Sequence, residues 1–131
     1  MLNFQPVSDD MGAGKRILIV EDDTVLGNLL LEALQEETSC PVSLATSGEM
    51  ALNMLQTAMP ALFMLDYQLP GMNGLELAKQ LRRLEGGERV PIILTSAALP
   101  QGNIALYQLT TLQKPFELDI LLELVAELLT A

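Results

Sequence analysis

The stretch ALFMLDYQLPGMNG, residues 61–74, joins a wholly apolar run to a turn-rich segment through one carboxylate, Asp66. The run ALFML has the length and composition of a strand that is buried on both faces. Behind it, Pro70 fixes one backbone angle, and Gly71 and Gly74 permit backbone angles that other residues avoid. The stretch therefore predicts a strand, a sharply bent loop and a helix in succession, with Asp66 held at the carboxyl end of the strand.

Apolar runs of strand length recur along the rest of the chain and alternate with helical patterns. The strand candidates are RILIV (16–20), PVSLA (41–45), ALFML (61–65), VPIIL (90–94) and the weaker TTLQ (110–113). The helical patterns start near Thr24, Ser47 and Asn73, and FELDILLELVAELL (116–129) forms a last one. This alternation predicts a doubly wound α/β fold, in which five parallel strands are flanked by helices and the binding site lies at the carboxyl ends of the strands.

The composition restricts the function classes that the chain can belong to. Half of the 131 residues are apolar, and the net charge is −10, from 17 acidic and 7 basic residues. A duplex-binding protein presents a basic face, so this balance argues against direct contact with nucleic acid. The absence of histidine excludes histidine-based catalysis, and the single cysteine, Cys40, is interpreted as a packing residue. No apolar run approaches the roughly 20 residues that span a bilayer, so we expect a cytoplasmic protein without a membrane partner.

Polar side chains stand at the carboxyl ends of four of the predicted strands. They are Glu21, Asp22 and Asp23 after the first strand, Asp66 after the third, Thr95 and Ser96 after the fourth, and Lys114 with Pro115 after the fifth. In a parallel sheet these ends share one edge, so the side chains can converge. Clustered carboxylates favour a hard cation such as Mg²⁺, and a lysine and a hydroxyl can contact phosphoryl oxygens. The set is suited to placing a phosphoryl group on Asp66, with its carboxylate as the nucleophile.

Taken alone, these residues have plainer interpretations, such as an acidic helix start for residues 21–23, a turn cap for Asp66 and an ordinary turn residue for Ser96. Together, however, four stretches carry a resemblance, because RILIVEDD, LDYQLPGMNG, PIILTSA and QKPF follow one another in this order. From about residue 15 to the end, the sequence resembles the receiver domain of two-component response regulators. The resemblance implies the flavodoxin-like receiver fold.

The resemblance also implies a role for each site residue. The positions that match the family's metal ligands are Glu21, Asp22, Asp66 and the backbone carbonyl of Gln68. Mg²⁺ is therefore the implied cofactor. Asp66 matches the phosphoacceptor, Ser96 the switch hydroxyl and Lys114 the phosphate-sensing lysine. The bond from Lys114 to Pro115 resembles a cis peptide of the family.

Partners follow from the same resemblance. A sensor histidine kinase or a phosphotransfer protein would donate the phosphoryl group, and the domain would signal by contact with an output protein that the sequence does not name; a homodimer is a further possibility. We expect the domain not to act as an enzyme. An aspartyl phosphatase would carry a second acid two residues after its nucleophile, where this chain has Gln68. Self-dephosphorylation would then be slow at most.

Two departures from the family concern the C-terminal part of the chain. Thr111 stands where the family usually has an aromatic residue, three positions before Lys114, and Tyr107 is out of register. The segment between Ser96 and Lys114 is shorter than usual by about four residues, close to one helical turn. It also contains a proline and a glycine, which disfavour a long helix. We therefore predict a short or irregular fourth helix.

The domain limits follow from the residue patterns and from the family resemblance. Residues 1–14 are interpreted as a flexible N-terminal tail and residues 15–131 as the receiver domain. The chain ends at Ala131, directly after the last helical pattern, which favours a stand-alone receiver without an output domain. Two alternatives stay open. One is a receiver-like binding module that keeps the fold without a phosphorylation cycle, and the other is a receiver fragment of a longer regulator or hybrid kinase.

Overall fold

Five parallel strands form a single sheet in the computed structural model, which describes residues 15–98 and 103–130. The strands are β1 (Ile17–Val20), β2 (Val42–Ala45), β3 (Leu62–Asp66), β4 (Ile92–Ser96) and β5 (Thr110–Gln113). The helices are α1 (Thr24–Thr38), α2 (Gly48–Met54), α3 (Gly74–Arg83) and α4 (Leu118–Thr130), with a 3-10 helix at Asn103–Tyr107. The strand order β2-β1-β3-β4-β5 confirms the predicted doubly wound α/β fold.

The order of the strands reverses between β1 and β3, because the chain leaves β1 for one edge of the sheet and returns to β3 on its other side. In sheets of this kind, ligands bind outside the carboxyl ends of the strands at the point of reversal. The register pairs Val20 of β1 with Leu65 of β3. The residues that follow them, Glu21 and Asp66, therefore reach the same edge of the sheet next to each other.

Two apolar layers cover the two faces of the sheet. Helices α1 and α4 pack on the face that presents Ile17 and Ile19, and helices α2 and α3 pack on the face that presents Leu18 and Val20. Every residue of β1, β3 and β4 is buried. Burial on both faces explains why these strands appear in the sequence as continuous apolar runs and not as alternating patterns. It also gives Asp66 a rigid support.

The strand bounds differ from the sequence pattern most clearly in β4. The pattern predicts this strand at residues 90–94, whereas it spans Ile92–Ser96. Its last two residues, Thr95 and Ser96, extend the ladder because they pair with residues of β5. Both are buried, with 2% and 1% of their surface exposed. They therefore belong to the sheet itself and do not follow it.

The segment before β5 and the peptide bond after Lys114 test two further sequence predictions. In the described part of the segment before β5, the chain forms the five-residue 3-10 helix Asn103–Tyr107, which confirms the prediction of a short or irregular fourth helix. Residues 99–102 and the predicted tail of residues 1–14 lie outside the described residues. The peptide bond between Lys114 and Pro115 is cis, as the resemblance implied. Among the helices of the described residues, none is long and apolar enough to cross a membrane.

Candidate functional site

Three carboxylates meet at the carboxyl ends of β1 and β3. One oxygen each of Glu21, Asp22 and Asp66 lies within 4.8 Å of the others. Glu21 and Asp66 are buried, with 3% and 6% of their surface exposed, whereas Asp22 is exposed. Carboxylates this close repel one another unless a cation neutralises them. The structure thus brings together three of the residues that the sequence predicted as metal ligands.

One ammonium group partly compensates the charge of this cluster. Lys114 Nζ lies 3.2 Å from Glu21 Oε1 and 3.2 Å from Asp66 Oδ1. Burial by itself would lower the pKa of Lys114, but the hydrogen bonds to Asp66 and Glu21 outweigh burial and raise the pKa above its usual value. Lys114 is therefore charged at neutral pH. With one formal charge on each of the three carboxylates and on the ammonium, the formal net charge of the cluster is −2.

Asp23, the third acid in the sequence run, caps α1. Its Oδ1 accepts hydrogen bonds from the amide nitrogens of Val25 at 3.0 Å and Leu26 at 3.2 Å. The amide nitrogen of Asp23 in turn donates to Glu21 Oε2 at 3.2 Å. The interpretation as an acidic helix start therefore applies to Asp23, and the helix start helps to orient the Glu21 carboxylate beside Asp22.

An open cleft of about 590 Å³ lies over the acidic cluster. Its lining consists of Glu21, Asp22, Asp23, Asp66, Tyr67, Gln68, Leu69, Pro70 and Asn73. Gln68, the predicted donor of a backbone carbonyl, is part of this lining, and its role as a ligand stays a prediction. All the donor atoms of the cluster are oxygens, and the cleft is open to water. This combination fits a hard cation that keeps several water ligands.

The loop after Asp66 lets α3 begin directly behind the strand. The amide nitrogen of Gly74 donates to the carbonyl oxygen of Tyr67 at 2.8 Å. A Cβ atom at Gly74 would overlap the carbonyl oxygen of Asp66, whereas Gly71 has a φ of 74° and open space around it. The interpretation that both glycines supply unusual backbone angles is therefore right for Gly71 and wrong for Gly74. Gly74 is required because α3 approaches the backbone of Asp66 so closely.

The hydroxyl of Ser96 is engaged with the neighbouring backbone. It donates to the carbonyl oxygen of Ala98 at 2.8 Å and accepts from the amide nitrogen of Ala98 at 3.3 Å. Ser96 is not among the residues that line the cleft. Its carbonyl oxygen accepts a hydrogen bond from the amide nitrogen of Lys114 at 2.8 Å. The backbone of Ser96 is thus hydrogen-bonded to that of Lys114. Contact between the Ser96 hydroxyl and a phosphoryl group stays a prediction, and it requires the hydroxyl to break its hydrogen bonds with Ala98.

No sequence pattern indicated the contacts of Arg82, in the last turn of α3. Its guanidinium donates to four backbone carbonyls, which belong to Gly87, Val90, Tyr107 and Gln108. Burial lowers the pKa of Arg82, although a guanidinium stays charged at neutral pH. Basic residues are common in the last turn of a helix. The pattern Arg82-Arg83 therefore could not show which arginine has distant partners.

A pH-dependent effect on stability follows from Glu21. Burial raises its pKa above the usual 4.5 and the charge of Asp66 raises it further, while hydrogen bonds from Asp23 and Lys114 only partly oppose the rise. The folded protein therefore binds this proton more tightly than the unfolded chain, so stability falls as the pH rises from 4.5 through the folded-state pKa. We expect Glu21→Gln to raise the melting temperature of the metal-free protein by a few degrees at pH 7.

Thermal unfolding followed by circular dichroism in a chelator measures this effect. The gain should vanish below pH 4.5, where Glu21 is protonated in both the folded and the unfolded state. Glu32→Gln, which removes an exposed carboxylate from α1, serves as the matched control and should change the melting temperature little. A lower melting temperature for Glu21→Gln at pH 7 would mean that the ion pair with Lys114 outweighs the unfavourable burial.

Comparisons with known proteins agree with this geometry. A family model described as the response regulator receiver domain matches residues 17–126. Transcriptional regulatory protein BaeR of Escherichia coli O6:H1 is 36% identical over 86 residues, which cover 66% of this chain and 34% of that protein. Sporulation initiation phosphotransferase F of Bacillus subtilis is 33% identical over 107 residues, which cover 80% of this chain and 86% of that protein. The chain thus spans 34% of the transcriptional regulator but most of the phosphotransferase.

A solved structure extends the similarity to the whole fold. The response regulator protein TrrA of Thermotoga maritima, in complex with Mg²⁺ and BeF, superimposes with a TM-score of 0.76 and 34% sequence identity. The match covers 87% of this chain and 98% of that one. The sheet and the flanking helices are therefore shared with a protein whose structure contains Mg²⁺.

Proposed function

The chain belongs to the response regulator receiver domain family, and on this basis we propose that it accepts a phosphoryl group on Asp66 from a histidine kinase or phosphotransfer protein. The observation that carries the proposal is the convergence of three carboxylates and one lysine around Asp66. Asp66 is the residue of this cluster that ends a strand buried on both faces, so its carboxylate is held firmly at the cleft. A fixed nucleophile at an open cleft suits transfer from a second protein.

The transfer forms one bond and breaks another. An oxygen of the Asp66 carboxylate bonds to phosphorus while the phosphorus–nitrogen bond of the donor's phosphohistidine breaks, and the imidazole leaves with the electron pair of that bond. Lys114 is already 3.2 Å from Asp66 Oδ1, so its ammonium is placed to pair with a phosphoryl oxygen on that carboxylate. Glu21, Asp22 and Asp66 would hold Mg²⁺, which would supply two positive charges to offset the formal −2 of the cluster.

The same site gives the phosphoryl group little help to leave. The chain contains no histidine, and the position two residues after Asp66 holds the amide of Gln68, which cannot act as an acid or a base at neutral pH. Gln68 lines the cleft and offers no group for proton transfer there. These features support a phosphoryl group that is retained as a signal and lost slowly, and not an enzyme that turns over a stream of substrate.

An apolar groove next to Lys114 supports contact with the donor protein. The groove, of about 480 Å³, is lined by Leu26, Leu29, Leu30, Ala97, Lys114, Pro115, Phe116 and Leu118. Leu29 is 58% exposed, and Val25, one turn earlier on α1, is 79% exposed. Because Lys114 contributes both to this groove and to the acidic cluster, a helix of the donor that fills the groove brings its phosphohistidine near Asp66.

Two features of the structure support an alternative function. Thr111, in β5, offers no aromatic ring that could move with phosphorylation, and the hydroxyl of Ser96 is bonded to Ala98. Both features agree with a binding module that keeps the fold without a phosphorylation cycle. The two functions differ in whether Asp66 can be phosphorylated at all.

Intact-mass spectrometry after incubation with Mg²⁺ and phosphoramidate tests the proposed function. We expect one phosphoryl group per chain, which appears only with Mg²⁺ and disappears after alkaline treatment, because an acyl phosphate is labile in base. Addition that does not need Mg²⁺, or that survives alkali, would point to another kind of acceptor. No addition under any condition would leave the binding module as the function.

Metal binding gives a separate prediction, because a cation that binds the folded state alone stabilises it by mass action. At Mg²⁺ tenfold above the dissociation constant the gain is about 1.4 kcal/mol. We expect Asp22→Asn to lose most of this gain, since it removes one charge from the cluster of three carboxylates. Thermal unfolding across a series of Mg²⁺ concentrations measures it.

Asp23→Asn is the matched control, because it removes the same charge one residue further on. Asparagine caps a helix as well as aspartate does, and the Asp23 carboxylate is already engaged by the amides of α1. This variant should therefore keep most of the response to Mg²⁺. An equal loss of response in both variants would show that general negative charge, and not ligation by Asp22, attracts the metal.

A further inference from the structure

Arg82 joins two chain segments that are far apart in sequence. Its Nη1 donates to the carbonyl oxygens of Gly87 at 2.9 Å and Val90 at 2.7 Å. Its Nε donates to Tyr107 at 2.9 Å, and its Nη2 donates to Gln108 at 3.1 Å. Four of the five N–H groups of one guanidinium are thereby used on backbone carbonyls. No other side chain among residues 15–98 and 103–130 makes as many hydrogen bonds to the backbone.

The two segments lead into the two strands at one side of the sheet. Gly87 and Val90 belong to the connection from α3 to β4, whereas Tyr107 ends the 3-10 helix and Gln108 follows it on the way to β5. Gln108 has a φ of 56°, in the left-handed region that a non-glycine residue adopts only with support. The ammonium of Lys79, one turn before Arg82, lies 5.5 Å from the centre of the Tyr107 ring. Helix α3 therefore contacts the residues just before β5 through both Arg82 and Lys79.

The other end of β5 carries the site. The strand has four residues, and its last one, Gln113, donates from Nε2 to the carbonyl oxygen of Ala97 at 3.2 Å. Lys114 follows at once and contacts both Glu21 and Asp66. Gln108 lies two residues before this short strand and Lys114 directly after it. We therefore expect a shift at Gln108 to be passed along the strand to Lys114.

Helix α3 is also attached to the site at its own first turn. Gly74 donates to Tyr67, the residue after Asp66, and Asn73 caps the helix in a capping box with Glu76. One rigid helix of ten residues thus contacts the Asp66 loop at its start and, through Arg82, the segment before β5 near its end.

We propose that Arg82 is a positioning residue, which fixes the segment 103–108 and the start of β5 on α3 and thereby sets the position of Lys114 at Asp66. The effect on phosphoryl transfer rests on the proposed function, whereas the effect on the segment does not. This chain has Thr111 in place of an aromatic residue. The contacts of Arg82 then link the site to the surface around the 3-10 helix.

Arg83 supplies a control that is matched in charge, helix position and residue type. It is exposed, and its side chain makes no hydrogen bond or ion pair within the described part of the chain. A cation in the last turn of a helix also interacts favourably with the helix dipole. Arg83 shares that simpler role, and a lysine at position 82 would preserve it. An ammonium, however, cannot replace the planar guanidinium that donates to two segments at once.

Hydrogen–deuterium exchange of the free protein tests the positioning role. We expect Arg82→Gln to speed exchange by about tenfold or more in peptides from residues 87–92 and 103–113. Local opening of these segments would no longer have to break the hydrogen bonds from Arg82, so the open state would be populated more often. Exchange in β1 and β3 should be unchanged. Arg82→Lys should resemble Arg82→Gln, and Arg83→Gln should resemble the wild type. Equal acceleration in β1 and β3, no acceleration at all, or full rescue by Arg82→Lys would overturn the proposal.

A second measurement follows the site itself. With phosphoramidate and saturating Mg²⁺, Arg82→Gln should be phosphorylated at least about fivefold more slowly, as expected when a positioning contact is lost. Its thermal stabilisation by Mg²⁺ should be unchanged, since the three carboxylates stay in place. An unchanged rate of phosphorylation would remove Lys114 from the proposal. If the wild type itself takes up no phosphoryl group, the proposed function fails, and the exchange experiment still decides the role of Arg82.

Discussion

Replacing Asp66 with Asn is expected to abolish phosphorylation by phosphoramidate in the presence of Mg²⁺. The amide of asparagine is a far weaker nucleophile than a carboxylate, and the variant also removes one of the three carboxylates that would hold the metal. The fold should survive, because asparagine has nearly the same shape and removes a buried negative charge beside Glu21. Intact-mass spectrometry measures the adduct, and thermal unfolding measures the fold.

The matched control for this variant is Asp119→Asn, which removes an exposed carboxylate from the first turn of α4. It should be phosphorylated at the rate of the wild type. Labelling that persists in Asp66→Asn at a comparable rate would move the acceptor to another residue. Loss of labelling in both variants would show that net charge, and not the Asp66 carboxylate, decides the reaction.

Gly74→Ala is expected to destabilise the protein by about 3 kcal/mol, as overpacking against fixed atoms does. A Cβ atom at this position would overlap the carbonyl oxygen of Asp66, which is backbone and cannot swing aside. The start of α3 must then move away from β3, and the loop over the cleft moves with it. We therefore expect slower phosphorylation in addition to the loss of stability. Unfolding in urea, with the slope checked against the wild type, measures the stability.

Gly71→Ala separates this steric effect from backbone strain. Gly71 has a φ of 74°, and no atom lies within 4 Å of the position that a Cβ would take, so alanine there meets only the left-handed backbone, at about 1 kcal/mol. Phosphorylation of this variant should be close to that of the wild type, since α3 keeps its position. Equal losses of stability in the two variants would mean that backbone angle, and not the approach of α3 to Asp66, explains both glycines.

The parts of the site that the sequence predicted are those set by the strands. Glu21 and Asp66 lie at the carboxyl ends of strands that are buried on both faces, and a parallel sheet brings such positions to one edge. The helical pattern that starts near Asn73 corresponds to α3, which Asn73 caps. These inferences needed only the length and polarity of neighbouring residues, which the sequence contains directly.

The parts that the sequence could not predict depend on contacts between distant segments. The carbonyl partners of Arg82 lie up to 26 positions away, and backbone carbonyls leave no trace in residue type. The requirement for Gly74 comes from the distance between α3 and β3, which no local pattern contains. The hydroxyl of Ser96 has two possible partners, the neighbouring backbone and a ligand in the cleft, and residue type alone does not choose between them.

The charge of the site links the role of Lys114 to that of the three carboxylates. The ionised cluster carries −2 when Lys114 is paired with it. A divalent cation would relieve the repulsion among its carboxylates, and Lys114 would then be available for the oxygens of a phosphoryl group. Lys114 therefore has to stay mobile enough to change partners and fixed enough to reach Asp66. On our account, β5 and Arg82 supply the second condition.

Chemical trapping of the phosphorylated protein shows whether Asp66 itself carries the phosphoryl group. Borohydride reduces an aspartyl phosphate to homoserine, and peptide sequencing by mass spectrometry then locates the altered residue. We predict homoserine at position 66 after incubation with phosphoramidate and Mg²⁺, and none when Mg²⁺ is omitted. Homoserine at position 22 or 23, or a phosphoryl group on a hydroxyl that resists the reduction, would show that Asp66 is not the acceptor.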